Sequence, residues 1–170
     1  MGQYDRVSWR NEPISLRQRQ ALIAVEKAVQ KKYPNFEFQV PQGSWQPVTP
    51  WSGTSHVGAG VVDLQYYGFY GDVGYSTPAE KAKARFVFRA LLDVGKQAAF
   101  FRGPWSKTPS DPNGMILHFH VCDLDTHGMS YTSRTFQVPE WKRGNDGLIP
   151  GRRDRFGYRP DPIRKWRFHK

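Results

Sequence analysis

A single cysteine, Cys122, in 170 residues leaves no internal disulfide framework and no Cys-rich zinc module. No apolar run approaches the length of a membrane span, and Met1 to Arg10 is polar and aromatic, unlike a signal peptide. The expectation is a protein soluble in the cytoplasm where it is made, reaching any outside target only through release or export by something else. No internal repeat and no composition break mark a second folded domain. Acidic residues are in the minority, 15 against 25 lysines and arginines, for a net charge of +10. The excess is concentrated: Gly151 to Lys170 carries Arg152, Arg153, Arg155, Arg159, Arg164, Lys165, Arg167 and Lys170 against Asp154 and Asp161. The reading is therefore one domain over residues 1–150 and a basic tail over residues 151–170. Such a tail attracts polyanions in general, whether nucleic acid, anionic lipid or anionic wall polymers. A solvated tail, or one that packs back on the domain, explains the same charge.

What is present suits a packed core: 38% hydrophobic and 15% aromatic residues in a chain of one-domain length. Ser15-Leu16-Arg17-Gln18 has the spacing of a capping box, and Leu22, Val25 and Val29 follow at helical intervals, predicting a helix to about Tyr33. Phe36, Phe38 and Val40 alternate with polar residues and predict a short strand ending at Pro41. Gln42 to Gly60 is rich in Gly, Ser, Pro and Trp without periodicity, a long loop of the kind that often carries function. Val61 to Tyr67 reads as a strand. Thr77-Pro78-Ala79-Glu80 opens a second helix, with proline at its first position and Gly95 as its stop. Ala98 to Phe101 and Met115 to Asp123 read as strands, and Ser130 to Arg143 as a short helix. Mixed elements without βαβ alternation predict an α+β domain, a small antiparallel sheet with helices packed on one side.

Two elements carry chemistry. On a strand, His118 and His120 project to one face, in line with Ile116 and Cys122, while Leu117, Phe119 and Val121 face the core. A His-x-His pair alone is equally a polar strand face. The second element runs from Ser55 to Leu64: His56 stands in a glycine-rich loop, and seven residues later Asp63 interrupts the apolar run Val61, Val62, Leu64. A carboxylate among such neighbours needs a partner or a cation, although capping a loop amide also serves. Together the elements supply neutral imidazoles and one carboxylate. Three protein ligands with one open position is the composition of a catalytic zinc site. Cys122 shares the strand face and as a thiolate would be a ligand, but a buried structural cysteine is the reading preferred here. His127 is assigned to a turn and His169 to the tail. Trp45, Trp51 and Trp105 fall in loops where they could wall a cleft or pack in the core.

At this point the residues resemble a known group. His56 to Asp63 resembles the Ser-x-His-x-x-Gly-x-Ala-x-Asp motif of the D-Ala-D-Ala metallopeptidase and lysostaphin-type superfamily, and His118-Phe119-His120 resembles its His-x-His motif. The likeness is closer to the D-alanyl-D-alanine carboxypeptidase-like branch of phages and actinobacteria. It rests there on Gln42-Gly43-Ser44, on Gly53-Thr54-Ser55-His56, and on Gln137-Val138 with Gly144-Asn145-Asp146-Gly147-Leu148. It spans Ser15 to Leu148. The chain departs from the motif at Thr54 for serine, Ala59 for glycine and Val61 for alanine, and Leu117 stands where many relatives carry a glutamate base.

The resemblance implies that His56, Asp63 and His120 hold Zn2+ on the sheet face, with His118 beside the open position as proton relay or oxyanion stabiliser. Gln42 and Ser44 lie just upstream of the metal loop, where they could donate hydrogen bonds to the peptide substrate or serve as purely structural loop contacts. The implied activity is zinc-dependent hydrolysis of peptide bonds in the peptide stems of bacterial peptidoglycan by a monomer, as a phage endolysin, a virion component or a cell-wall peptidase. The alternative is a catalytically inactive zinc-binding phage structural or wall-binding protein of the same fold, which the missing glutamate favours. A nucleic-acid reading rests on charge alone, since no motif matches a nucleic-acid module.

Overall fold

The computed structural model describes residues 2, 5–49, 54–69, 74–126 and 128–155. Trp51, His127, His169 and most of the basic tail lie outside the described residues. The described residues form an α+β fold, as the pattern predicts. Ser15 caps the first helix, α1 (Leu16–Gln30), its hydroxyl accepting from the Gln18 amide at 3.2 Å. Only that half of the expected capping box forms. The Gln18 side chain instead donates to the Gly60 carbonyl and to Gln97 Oε1, both at 3.2 Å, and ties α1 to the sheet. The second helix, α2 (Pro78–Asp93), has the full box: Glu80 accepts from the Thr77 amide at 2.8 Å while Thr77 Oγ1 accepts from the Glu80 amide at 3.2 Å.

An N-terminal hairpin, β1 (Arg6–Trp9) and β2 (Glu12–Ser15), was not predicted. Its turn residues Arg10 and Asn11 both have positive φ, 54° and 67°, as a two-residue hairpin turn requires. Strands of four residues, one holding Pro13, give too little alternation to read from sequence. The main sheet contains β3 (Phe38–Gln42), β4 (Val61–Tyr66), β5 (Gln97–Arg102) and β6 (His118–Asp123) in the order β3-β4-β6-β5, antiparallel throughout. Pro41 falls on the edge strand β3, where the register with β4 shifts between Gln39 and Gln42. An edge irregularity is where a strand tolerates the missing N–H.

The sheet register divides the side chains cleanly. One face presents Leu64, Tyr66, Phe101 and Phe119 to the helices. There Phe69 stacks on Tyr66 and Phe119 with ring centroids 4.5 and 5.2 Å apart, and Phe101 lies 5.5 Å from Phe119. Each such ring contributes roughly 1.5–3 kcal/mol by leaving water. The other face carries Asp63, Arg102, His118, His120 and Cys122. A third helical segment reaches this second face: a π-helical turn at Ser133–Gln137 continues into α3 (Val138–Lys142). The long helices therefore share one side as expected, and the short segment covers the polar side, where Gln137 bonds the buried His120 and Ser133 bonds Gln137.

Candidate metal centre

Strand pairing fixes the site. Asp63 on β4 stands directly opposite His120 on β6, and Gln42 on β3 opposite Asp63, so three strands deliver side chains to one point. His56 arrives from the loop before β4. That loop folds back on itself through the Trp45 amide to the Gly58 carbonyl (3.1 Å) and the Gln46 amide to the His56 carbonyl (2.9 Å). Gly43 must be glycine, since a Cβ there would meet the Pro13 carbonyl at 2.3 Å. Glu12, on the hairpin, accepts from the Gly43 amide at 3.0 Å and from Gln46 Nε2 at 2.8 Å, holding this segment against β2.

Each histidine has one ring nitrogen engaged away from the centre. His56 Nδ1–H donates to the Gly43 carbonyl at 3.0 Å and His118 Nδ1–H to the Ile116 carbonyl at 2.8 Å. His120 Nε2–H donates to Gln137 Oε1 at 3.1 Å, and that oxygen also accepts from Ser133 Oγ at 2.7 Å. These acceptors set the tautomers of His56 and His118, whereas His120 has an acceptor on each side and turns a lone pair to the centre in the tautomer whose Nε2–H donates to Gln137. The remaining nitrogens converge on a single oxygen, Asp63 Oδ1: His120 Nδ1 at 2.8 Å, His56 Nε2 at 3.5 Å and His118 Nε2 at 3.8 Å. Lone pairs and a carboxylate oxygen facing one another repel unless a cation lies among them.

The electrostatics suit that role. Burial, reinforced by Arg102, pushes His120 down to about 3, and burial pushes His118 down as well. Burial opposes the charged form of His56 too, but Asp63 outweighs it and raises the value. Burial also disfavours the Asp63 carboxylate, yet the neighbouring His56 and His118 hold it well below the usual range. Neutral His120 and ionised Asp63 are in the donor forms a divalent cation takes, and His56, whose value Asp63 raises, would give up its proton to the cation. The ligand atoms of His56, Asp63 and His120 lie within 4.8 Å of one another, so this buried group can hold a metal ion. His118 stands outside the group, with its Nε2 turned toward Asp63. Cys122 is fully buried, its thiol pushed up to about 12 by burial and directed at Gln137, and it takes no part as a thiolate.

The group opens into a cleft of about 750 Å³. Gln42, His56, Asp63, Arg102, His118 and Gln137 line its inner part, and the 108–116 loop forms one wall. Gln42 thus stands where a ligand would pass. Ser44 does not, and its predicted substrate role is corrected: it is fully buried, its hydroxyl donating to the Val61 carbonyl at 2.9 Å and accepting from the Val61 amide at 3.2 Å. Neither Trp45 nor Trp105 lines the cleft. Trp45 lies against Arg6, and Trp105 packs on Phe101 with centroids 5.0 Å apart.

Sequence reasoning missed Arg102, Glu12 and the orienting role of Gln137. The Gln137-Val138 match pointed at the right residue without a function, whereas Arg102 gave no signal in a run that reads as buried strand. Among the described residues no helix is long and apolar enough to cross a membrane. Comparison of the chain with protein-family models, with curated proteins and with solved structures finds no match to any of them.

Proposed function

We propose that the protein is a zinc-dependent peptidase that hydrolyses peptide bonds in bacterial peptidoglycan. The observation that supports the metal-dependent part is the convergence of three imidazole nitrogens on Asp63 Oδ1, each imidazole held through its other nitrogen. Acceptors behind metal-ligating histidines set tautomer and orientation in just this manner. The peptidoglycan part rests on the resemblance of His56 to Asp63 and His118 to His120 to wall-cutting metallopeptidases. His56, Asp63 and His120 would hold the zinc, which supplies Lewis acidity, activating water near neutral pH and polarising the scissile carbonyl.

The chain's own residues supply the rest. His118 is neutral and free at Nε2, so it can accept a proton there and return it to the leaving amine. Gln42 is placed to orient the peptide along the edge of β3. The cleft of about 750 Å³ beside the centre offers the space in which a peptide would lie.

A second reading is favoured by one observation. Leu117, where related enzymes place a glutamate, is a buried core residue and brings no carboxylate to the centre. The protein would then be a zinc-binding wall or virion component without turnover. The two readings separate when purified peptidoglycan is incubated with zinc-loaded protein and new amino groups are counted. Amine release abolished by a chelator and restored by zinc supports the enzyme; a zinc-loaded, folded protein that releases none supports the second reading.

A further inference from the structure

A second pocket, of about 270 Å³, opens between the end of α1, the start of β3, the end of β4 and α2. Tyr33, Asn35, Phe36, Tyr66, Tyr67 and Lys83 line it. It lies on the helix side of the sheet, since Tyr66 follows Asp63 by three residues on β4 and points to the opposite face. Its walls are held in place. The Phe36 amide donates to the Tyr33 carbonyl at 2.9 Å, and Gln30 Nε2 donates to the Phe36 carbonyl at 2.9 Å. The Tyr66 ring is fixed by Phe36 and Phe69, with centroids 5.4 and 4.5 Å away.

Two donors in this pocket lack acceptors. Tyr66 is 3% exposed, and its hydroxyl is buried with no hydrogen-bond partner among the described residues. Such a group is costly to leave unpaired. Burial raises its pKa, so the phenol stays protonated and can donate. The Lys83 ammonium lies 4.6 Å from the Tyr66 ring centroid, 5.5 Å from that of Tyr33 and 5.8 Å from that of Phe36. The nearby carboxylates do not take it: Glu37 on the pocket wall pairs with Arg10, and Glu80 on α2 is committed to Ser76 and Thr77. Beside these donors Tyr67 presents a ring that is 87% exposed.

A ligand that satisfies the pocket needs oxygen acceptors at its edge and a flat apolar face. Phosphate supplies oxygens, but it leaves the rings uncovered and meets Glu37 with one cation to balance it. An apolar side chain covers the rings and leaves both donors unpaired. A pyranose ring answers both demands, with hydroxyls around its edge and axial C–H bonds across its face. The volume is near the small end of ligand pockets, about 300 Å³, and suits one such ring.

We propose that this pocket is a sugar-binding site that takes one pyranose ring of a glycan. Tyr33 and Tyr67 supply the stacking surface, and Tyr66 and Lys83 donate to the sugar oxygens. The site stands apart from the metal cleft and goes beyond the peptidase reading. Only the choice of an N-acetylated sugar as probe rests on that reading.

The test is NMR titration of the full chain with the tetramer of N-acetylglucosamine, with maltotetraose and with inorganic phosphate. The N-acetylglucosamine tetramer is expected to bind saturably, shifting Tyr33, Asn35, Tyr67 and Lys83 and leaving His56 and His118 unmoved. Tyr67→Ala and Lys83→Met should each weaken binding about fivefold or more, the scale of a ring contact or a charge-assisted hydrogen bond. Tyr66→Phe removes the hydroxyl alone, should weaken binding about threefold or more, and serves if another variant does not fold. Binding of phosphate in place of sugar, binding of neither sugar, or affinity unchanged in Tyr67→Ala and Lys83→Met overturns the proposal. Maltotetraose bound at this pocket without the N-acetylglucosamine tetramer would leave the sugar site standing and count against the cell-wall reading alone.

Discussion

Asp63 Oδ1 is the atom on which three imidazoles converge, and the roles of the four residues differ in what each leaves free. His120 is fully buried with both nitrogens committed, one to the centre and one to Gln137. His120→Ala is expected to abolish tight zinc binding. His118→Ala should retain zinc and lower turnover by about 10²-fold or more, the usual scale of a lost acid–base group. Metal analysis alongside amine release checks both, and zinc loss from the two variants alike would refute the division. Gln137 contributes from behind: Gln137→Leu should weaken zinc affinity by roughly 10–100-fold while the thermal transition stays cooperative, measured by competition with a chromogenic chelator. Histidine and aspartate were legible at this scale because few other reasons place them in a glycine-rich loop or an apolar strand. Arg102 was not, since the pairing of β5 with β6 brings it to the centre from a stretch that reads as core.

At the scale of elements, the helix caps were legible because they depend on neighbours in sequence. Thr77-Pro78-Ala79-Glu80 forms the box its spacing predicts. Backbone and side-chain hydrogen bonds from Thr77 and Ser76 hold the Glu80 carboxyl down at about 2, against an ordinary value of 4.5. A carboxyl depressed on folding stabilises the protein above its unfolded pKa, and this contribution is lost as pH falls through the folded value. Glu80→Gln should therefore melt below wild type at neutral pH, with the gap narrowing below about 4.5 and closing near 2. A gap that stays constant across a pH series of thermal melts would contradict the capping account. Thr77→Ala should cost about 1 kcal/mol. The β1–β2 hairpin escaped the sequence reading, yet it bears on the site through Glu12 and Gly43, the residue whose carbonyl orients His56. The π-helical turn escaped for a related reason. Its extra residue per turn answers a tertiary demand, delivery of Gln137 to His120, and local propensity does not record that demand.

For the whole molecule, residues 152–155 at the start of the basic stretch contact the domain. The Asp146 amide donates to the Arg152 carbonyl at 2.8 Å, Asp154 is buried with its carboxylate on β5, and Arg155 lies 4.2 Å from the Trp105 ring centroid. The start of the basic stretch thus belongs to the domain, which composition does not reveal because its arginines act here as packing and hydrogen-bonding groups. Residues 156–170 keep five lysines and arginines against one aspartate. Removing them should weaken adsorption to purified walls in a salt-dependent way, with cleavage of a soluble muropeptide unchanged. Undiminished adsorption would end the idea that this segment binds anionic wall polymers. Removing residues 151–155 as well should lower the melting temperature, since it strips the Phe101 amide of its acceptor.

The central claim is that His56, Asp63 and His120 form a metal centre, and metal content by mass spectrometry tests it most directly. The account predicts about one zinc per chain in the wild type and in His118→Ala, and none in His120→Ala, with all three folded. Wild-type protein that takes up no zinc at micromolar concentration, or His120→Ala that takes up as much as the wild type, would contradict it.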